Sequence, residues 1–213
     1  MDPLIDDRLA AAAALRDLNH AFVGHDADTS ELRDLTADAQ RHAAAIRHGE
    51  QRDRLALMRR AREASPDDSP ITSGPGSGFE DRAVAGRANP TSVDLDVRFV
   101  ADEVIAELVL HRAFEGAPGR AHGGIVSAVF DDITGYVIGF LGEPAFTGEL
   151  TVRFNAPVPV EEPLVIRARL VGRERRKIFI TAEATAREVA VATCKATYIA
   201  VDPSVFAGAP DPR

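Results

Sequence analysis

The sequence predicts an α+β fold, a curved antiparallel sheet wrapped around one buried helix behind a helical N-terminal region. Three observations carry that reading. From Thr91 onward apolar and polar residues alternate with the period of two that half-buried strands require. One stretch, Ile125 to Phe140, is apolar around most of a helical circumference, which marks a helix buried on nearly all sides. Two neighbouring strand segments carry small side chains on one face, Ala182 and Ala184 on the first and Ala192, Cys194 and Ala196 on the second. That face lets another element approach closely. An open α+β sandwich is the competing arrangement.

In chain order, residues 1–66 read as a helical extension. Leu9, Leu15, Leu18 and Phe22 recur at helical spacing in an Ala-rich background. A second helix starts after Asp28-Thr29-Ser30, with Thr29 or Ser30 as the cap, and runs through Leu32, Leu35, Ile46, Leu55 and Met58 to about Ala64, bent or broken near Gly49. Residues 67–91, dense in Gly and Pro, form a linker or ordered loop. Residues 92–202 form the sheet-rich domain. Val93, Leu95, Val97 and Phe99 define its first strand and 103–112 the second, and the helix occupies 125–139. Four strands follow, with Leu150, Val152 and Phe154, then Leu164 to Leu170, Ile178 to Ala184 and Ala192 to Tyr198 as their inward positions. Short connections at 171–176 and 186–188 predict hairpins and antiparallel pairing. The Ala-, Gly- and Pro-rich tail 203–213 is expected to fray.

Composition removes several functions. The 213 residues carry a formal net charge of -8, which argues against a nucleic-acid-coating protein. A single Cys excludes a disulfide framework and a CxxC metal site, and Cys194 at small-residue spacing reads as core. Four of the six histidines (His20, His25, His42, His48) lie in the helical extension at spacings that match no ligand motif, so neither a metal nor another cofactor is expected. No apolar run approaches the roughly 18–20 residues of a membrane span. The first residues lack the basic and apolar regions of a signal peptide, so a cytoplasmic location is expected.

The chemically distinctive segment runs from Gly119 to Gly135. Gly123 and Gly124 at a helix start leave backbone N–H groups that suit an anion or a developing oxyanion. Two turns on, Asp131 interrupts the apolar run, and a carboxylate on a buried helix needs a hydrogen-bond partner or a cavity. Asp132 projects about 100° further round the helix and is expected to be the solvated one of the pair. From spacing alone Asp131 is either catalytic or structural, and His122 is either a structural histidine or an orienting group.

Phe114-Glu115-Gly116-Ala117-Pro118-Gly119-Arg120-Ala121-His122-Gly123-Gly124, followed by Asp131, resembles the hotdog-fold acyl-CoA thioesterases, nearest the phenylacetate-pathway and THEM-like branch. The signature there is His-Gly-Gly with an Asp nine residues after the His. Thr147 to Pro157, with a Thr before a strand that ends in aromatic-x-x-Pro, and Gly172 to Phe179, with basic residues before an aromatic strand, extend the likeness to roughly residues 93–201. The resemblance implies a hotdog fold whose domains pair edge to edge as a homodimer or homotetramer, with the active site at the subunit interface. It implies Asp131 as nucleophile or general base and the Gly123 N–H as the group that polarises the thioester carbonyl. Thr147 would position water or support the carboxylate, His122 would lead the turn, and Gly124 would lie against substrate. Some members place Asn or Gln where this chain has Gly116. The basic cluster Arg173, Arg175, Arg176 and Lys177 suits CoA phosphates or is a solvated hairpin. Hydrolysis of acyl-CoA to free acid and CoA is therefore expected, with a non-catalytic acyl-CoA binder or structural hotdog dimer as the alternative.

Overall fold

The computed structural model describes residues 3–53, Ala56 and 80–202. Helix α1 (Pro3–Gly24) and helix α2 (Thr29–Arg47) open the chain. Asp28, rather than Thr29 or Ser30, caps α2, and its carboxylate accepts from the amides of Ser30 and Glu31, both at 2.9 Å. A carboxylate at this position also opposes the positive helix end. Helix α2 stops at Arg47 against a turn at His48 and Gly49. Its expected continuation through Leu55 and Met58 lies outside the described residues, as do residues 67–79 and the tail 203–213.

The body is a six-stranded antiparallel sheet. Strands β1 (Leu95–Val100) and β2 (Glu103–Val109) form the first hairpin, and a short 3-10 turn (Arg112–Phe114) leads into the small ribbon β3 (Glu115–Ala117) and β4 (Arg120–Ala121). Helix α3 (Gly123–Leu141) follows, then β5 (Ala145–Phe154), β6 (Pro163–Glu174), β7 (Lys177–Ala186) and β8 (Val189–Ala200). The order across the sheet is β1-β2-β6-β7-β8-β5. The β7–β8 hairpin turns on Arg187 and Glu188, both at positive φ, the geometry a two-residue turn needs to match the strand twist.

Helix α3 packs on β2, β5, β6, β7 and β8. The small residues make room for it: Ala182 faces Cys194 and Ala184 faces Ala192 across β7 and β8, and all four are buried. Phe130 and Ile133, at 0% exposure, fill the space they leave. The sheet curved around a central helix is thus the arrangement adopted, not the open sandwich. One helix bears on the expectation that no uninterrupted apolar run is as long as a membrane span. With 19 residues, α3 is long and apolar enough by length and composition to cross a membrane. A search for uninterrupted apolar runs misses it because Asp131 and Asp132 break the run. Half of the helix is buried inside the fold.

Candidate active site

His122 follows β4 and caps α3: its Nδ1 accepts from the Gly124 amide at 3.0 Å. That bond makes Nδ1 the acceptor and ties the ring to the helix start. It also corrects the expectation of two bare amides. Gly124 is occupied by His122, and the next two amides, Ile125 and Val126, both donate to the His122 carbonyl. Among the described residues the Gly123 N–H is the one amide of this turn for which no acceptor is found. A Cβ at 123 would lie 3.3 Å from the Phe154 ring, so that exposed ring lies close over the turn and would have to give way to any side chain there.

Gly116 backs the same turn. A Cβ there would sit 2.8 Å from the His122 Cα, so the position that carries Asn or Gln in some similar sequences has no room for a side chain on this backbone.

The two carboxylates take the opposite of their expected places. Asp131 is exposed and Asp132 is partly buried. Arg82 approaches Asp132 at 3.9 Å and also donates to the Tyr136 hydroxyl at 2.8 Å. Burial raises the pKa of Asp132, against the opposing pull of Arg82 and a bond from the Ala85 amide. A helix position about 100° from its neighbour meets whichever segment packs there, and Arg82 and Ala85 meet Asp132.

Thr147 donates to Asp131 Oδ1 at 2.8 Å. Strict alternation from Leu150 and Val152 would turn Thr147 outward. The β5–β8 register slips between Thr147 and Glu149, and this bulge at Gly148 re-aims Thr147 at the helix. Directly across the register lies Tyr198, whose hydroxyl donates to the Asp131 main-chain carbonyl at 3.0 Å. The alternation along β8 marks Tyr198 as an inward position and no more.

One chain joins Asp131 to Thr147 but not to Gly123, which lies eight residues earlier on the same helix, roughly 12 Å along its axis. The basic hairpin sits at the Thr147 end of the sheet, where Ile178, Tyr198 and Thr147 are in register across three strands. Within it Arg173 pairs with Glu143, and Arg176 Nε donates to the Ala200 carbonyl at 2.9 Å. Among the described residues Arg175 and Lys177 form no ion pair. Cys194 is buried in the sheet, its thiol pushed up to about 12 by desolvation, which removes it as a nucleophile. A groove of about 430 Å³ on the outer sheet face, between Glu149, Thr151, Phe179 and Lys195, touches none of the site residues.

A helix held in the curve of an antiparallel sheet, with a glycine turn at its start and a carboxylate two turns on, defines a hotdog-fold protein. Residues 118–193 match the family model of the Thioesterase superfamily. The chain is similar to human acyl-coenzyme A thioesterase THEM5, 34% identical over 74 residues, which are 35% of this chain and 30% of that protein. It is 29% identical over 91 residues to acyl-coenzyme A thioesterase THEM4 of Rattus norvegicus, covering 42% and 39%. The matched segments thus span well under half of those relatives. Among solved structures, the thioesterase superfamily protein RHA08564 superposes with a TM-score of 0.73 at 19% identity over 90% of this chain and 94% of its own. That likeness takes in the N-terminal helices as well as the sheet. The chain is therefore a hotdog-fold protein with a thioesterase-superfamily segment, related at low identity to acyl-CoA thioesterases.

Proposed function

We propose that the protein hydrolyses acyl-CoA thioesters in a site completed by a second copy of the chain. The observation that carries this reading is the layout of β5. Among the described residues this strand pairs only with β8, which leaves its other side an open edge of the kind that templates strand addition. Thr147, bonded to Asp131, lies at one end of the strand, and Phe154, packed against Gly123, lies at the other. Antiparallel pairing of two β5 edges about their midpoint sets the Thr147 end of one copy beside the Phe154 end of the next. The Asp131 carboxylate of each subunit then faces the Gly123 amide of its partner, which no single chain achieves.

In that cavity the thioester carbonyl oxygen accepts from the Gly123 N–H. Charge grows on this oxygen only as attack proceeds, so a fixed donor favours the transition state, by about 3 kcal/mol in comparable acyl transfer. Asp131, held by Thr147, attacks the carbonyl carbon or takes a proton from the attacking water. In either case the C–S bond breaks, the CoA thiolate leaves and is protonated, and water supplies the oxygen of the free acid. Arg175 and Lys177, without an ion-pair partner among the described residues, are the basic groups at the Thr147 end of the sheet available to the CoA phosphates.

The test is release of CoA thiol, followed with a thiol-reactive dye, from short, long and aryl acyl-CoA substrates. Asp131→Asn is expected to lower the rate by at least about a hundredfold at unchanged circular dichroism. An equal rate in the variant, or acyl-CoA binding without hydrolysis by the unaltered protein, overturns the proposal.

A further inference from the structure

The site described above uses Asp131, Thr147 and Gly123 and leaves a buried hydroxyl network unexplained. Tyr198 on β8 is 3% exposed, and its oxygen lies 3.0 Å from the Asp131 carbonyl and 2.9 Å from Thr134 Oγ1. Thr134, at 0% exposure, also reaches the Phe130 carbonyl at 2.9 Å. A phenylalanine would fill the same core space without the cost of desolvating a hydroxyl. The hydroxyl that is present bonds the main chain of the residue whose side chain Thr147 holds. The helix passes close to the phenol at Gly135, where a Cβ would stand 3.6 Å from the Tyr198 oxygen, an ordinary contact distance.

We propose that Tyr198 is a positioning residue for the hydrolysis: by holding the Asp131 main-chain carbonyl, it sets where the Asp131 carboxylate meets the Thr147 hydroxyl. This inference rests on the reading of Asp131 given above. The logic is a two-point hold. A carboxylate fixed only through its side chain shifts with any movement of the helix turn that carries it. Tyr198 and Thr147 are cross-strand partners, so one register level of the sheet grips both the main chain and the side chain of one helix residue. Alignment of a reacting group within a few tenths of an ångström depends on such supporting contacts. Burial pushes the Tyr198 hydroxyl up to about 12, so it stays protonated and donates throughout the working pH range.

The experiment is a double-variant cycle on acyl-CoA hydrolysis with Tyr198→Phe, Thr147→Ala and the pair, with thermal melts to confirm folding. Tyr198→Phe is expected to lower kcat about tenfold, with KM changed by less than about twofold. In the Thr147→Ala background, where no aligned pair remains, the same substitution is expected to cost under about threefold. An equal loss in both backgrounds marks a merely structural role and overturns the proposal, as does an unchanged kcat in Tyr198→Phe. Should Tyr198→Phe fail to fold, Thr134→Val, which removes the hydroxyl that meets both the phenol and, at 3.1 Å, the Asp131 carbonyl, is expected to lower kcat about threefold in the native background only. Wild-type kcat in that variant then overturns the proposal. Asp131→Asn is measured alongside: if it keeps full activity, this inference falls together with the reading of the site. If it is inactive while Tyr198→Phe is not impaired, only this inference falls.

Discussion

Helices α1 and α3 are of similar length and both rich in apolar residues, yet the fold holds them by different forces. In α3 nine residues are buried, and the contacts are those of Phe130, Ile133, Val137 and their neighbours with the sheet. In α1 Ala12 and Arg16 are buried, while Leu15, Leu18 and Phe22 face outward. Arg16 does the docking. Its guanidinium donates to the carbonyls of Arg87 at 2.9 Å and Asn89 at 3.1 Å and pairs with Asp94 at 3.0 Å. One helix is therefore part of a packed core and the other is pinned to it by directional bonds. A packed core loses stability as a unit, whereas a pinned arm detaches by itself.

The largest effect expected from that contrast is in the body. Phe130→Ala should cost about 3–5 kcal/mol, read from urea unfolding by circular dichroism, because the surrounding sheet cannot collapse into the space. A cost under about 1 kcal/mol would mean that α3 is not the centre of one core. Next comes Arg16→Ala, which removes three bonds from one charged group as well as buried side-chain stem. About 1.5–3 kcal/mol is expected. The cost should appear locally, as faster amide exchange in α1 with protection in β7 and β8 unchanged. Equal loosening of α1 and the sheet would erase the distinction between the two regions.

The same contrast governs what the sequence could reveal. Period-two alternation found β6, β7 and β8, and the small residues of β7 and β8 located the buried helix, because those patterns are set by burial alone. Thr147 facing Asp131 was legible only through resemblance. The bulge at Gly148 reverses the alternation, and nothing at a lone glycine distinguishes a bulge from an ordinary strand position. Which of Asp131 and Asp132 is solvated depends on Arg82 and Ala85, roughly 50 positions away in the chain. Arg16 looks like any surface arginine until the carbonyls of Arg87 and Asn89 are brought to it. Long-range polar contacts leave no local period to read.

Gly116 sharpens the point on the site side. Gly116→Asn, which installs the residue some similar sequences carry, is expected to destabilise the body by about 1–3 kcal/mol, since its Cβ meets backbone rather than a flexible side chain. It should bring no gain in hydrolysis. A stable variant with faster CoA release would show that the ribbon of β3 and β4 relaxes to admit a side chain there.

The smallest and most diagnostic difference is in pH. Burial raises the pKa of Asp132 in the folded body, so the folded state favours its protonated form. The penalty is absent below the unfolded carboxylate pKa and grows as pH rises through the folded value. His20 on α1 behaves in the reverse sense. It meets the His111 ring at a tilt, 4.8 Å between centroids, and the Phe114 ring edge-on at 5.2 Å, where desolvation and then His111 lower its pKa. Glu161, Asp94 and Asp17 pull the other way without reversing the shift. For a histidine with a depressed folded pKa the penalty is absent above the unfolded value and appears as pH falls through it. Glu161 adds to that trend: its bond with His111 holds its carboxyl low, a contribution lost on acidification. Asp132→Asn should therefore gain on the unaltered protein as pH rises, and His20→Gln should gain as pH falls, each followed by urea unfolding across the range. If both differences run in the same direction, the environments assigned to body and arm are wrong for at least one of the two groups.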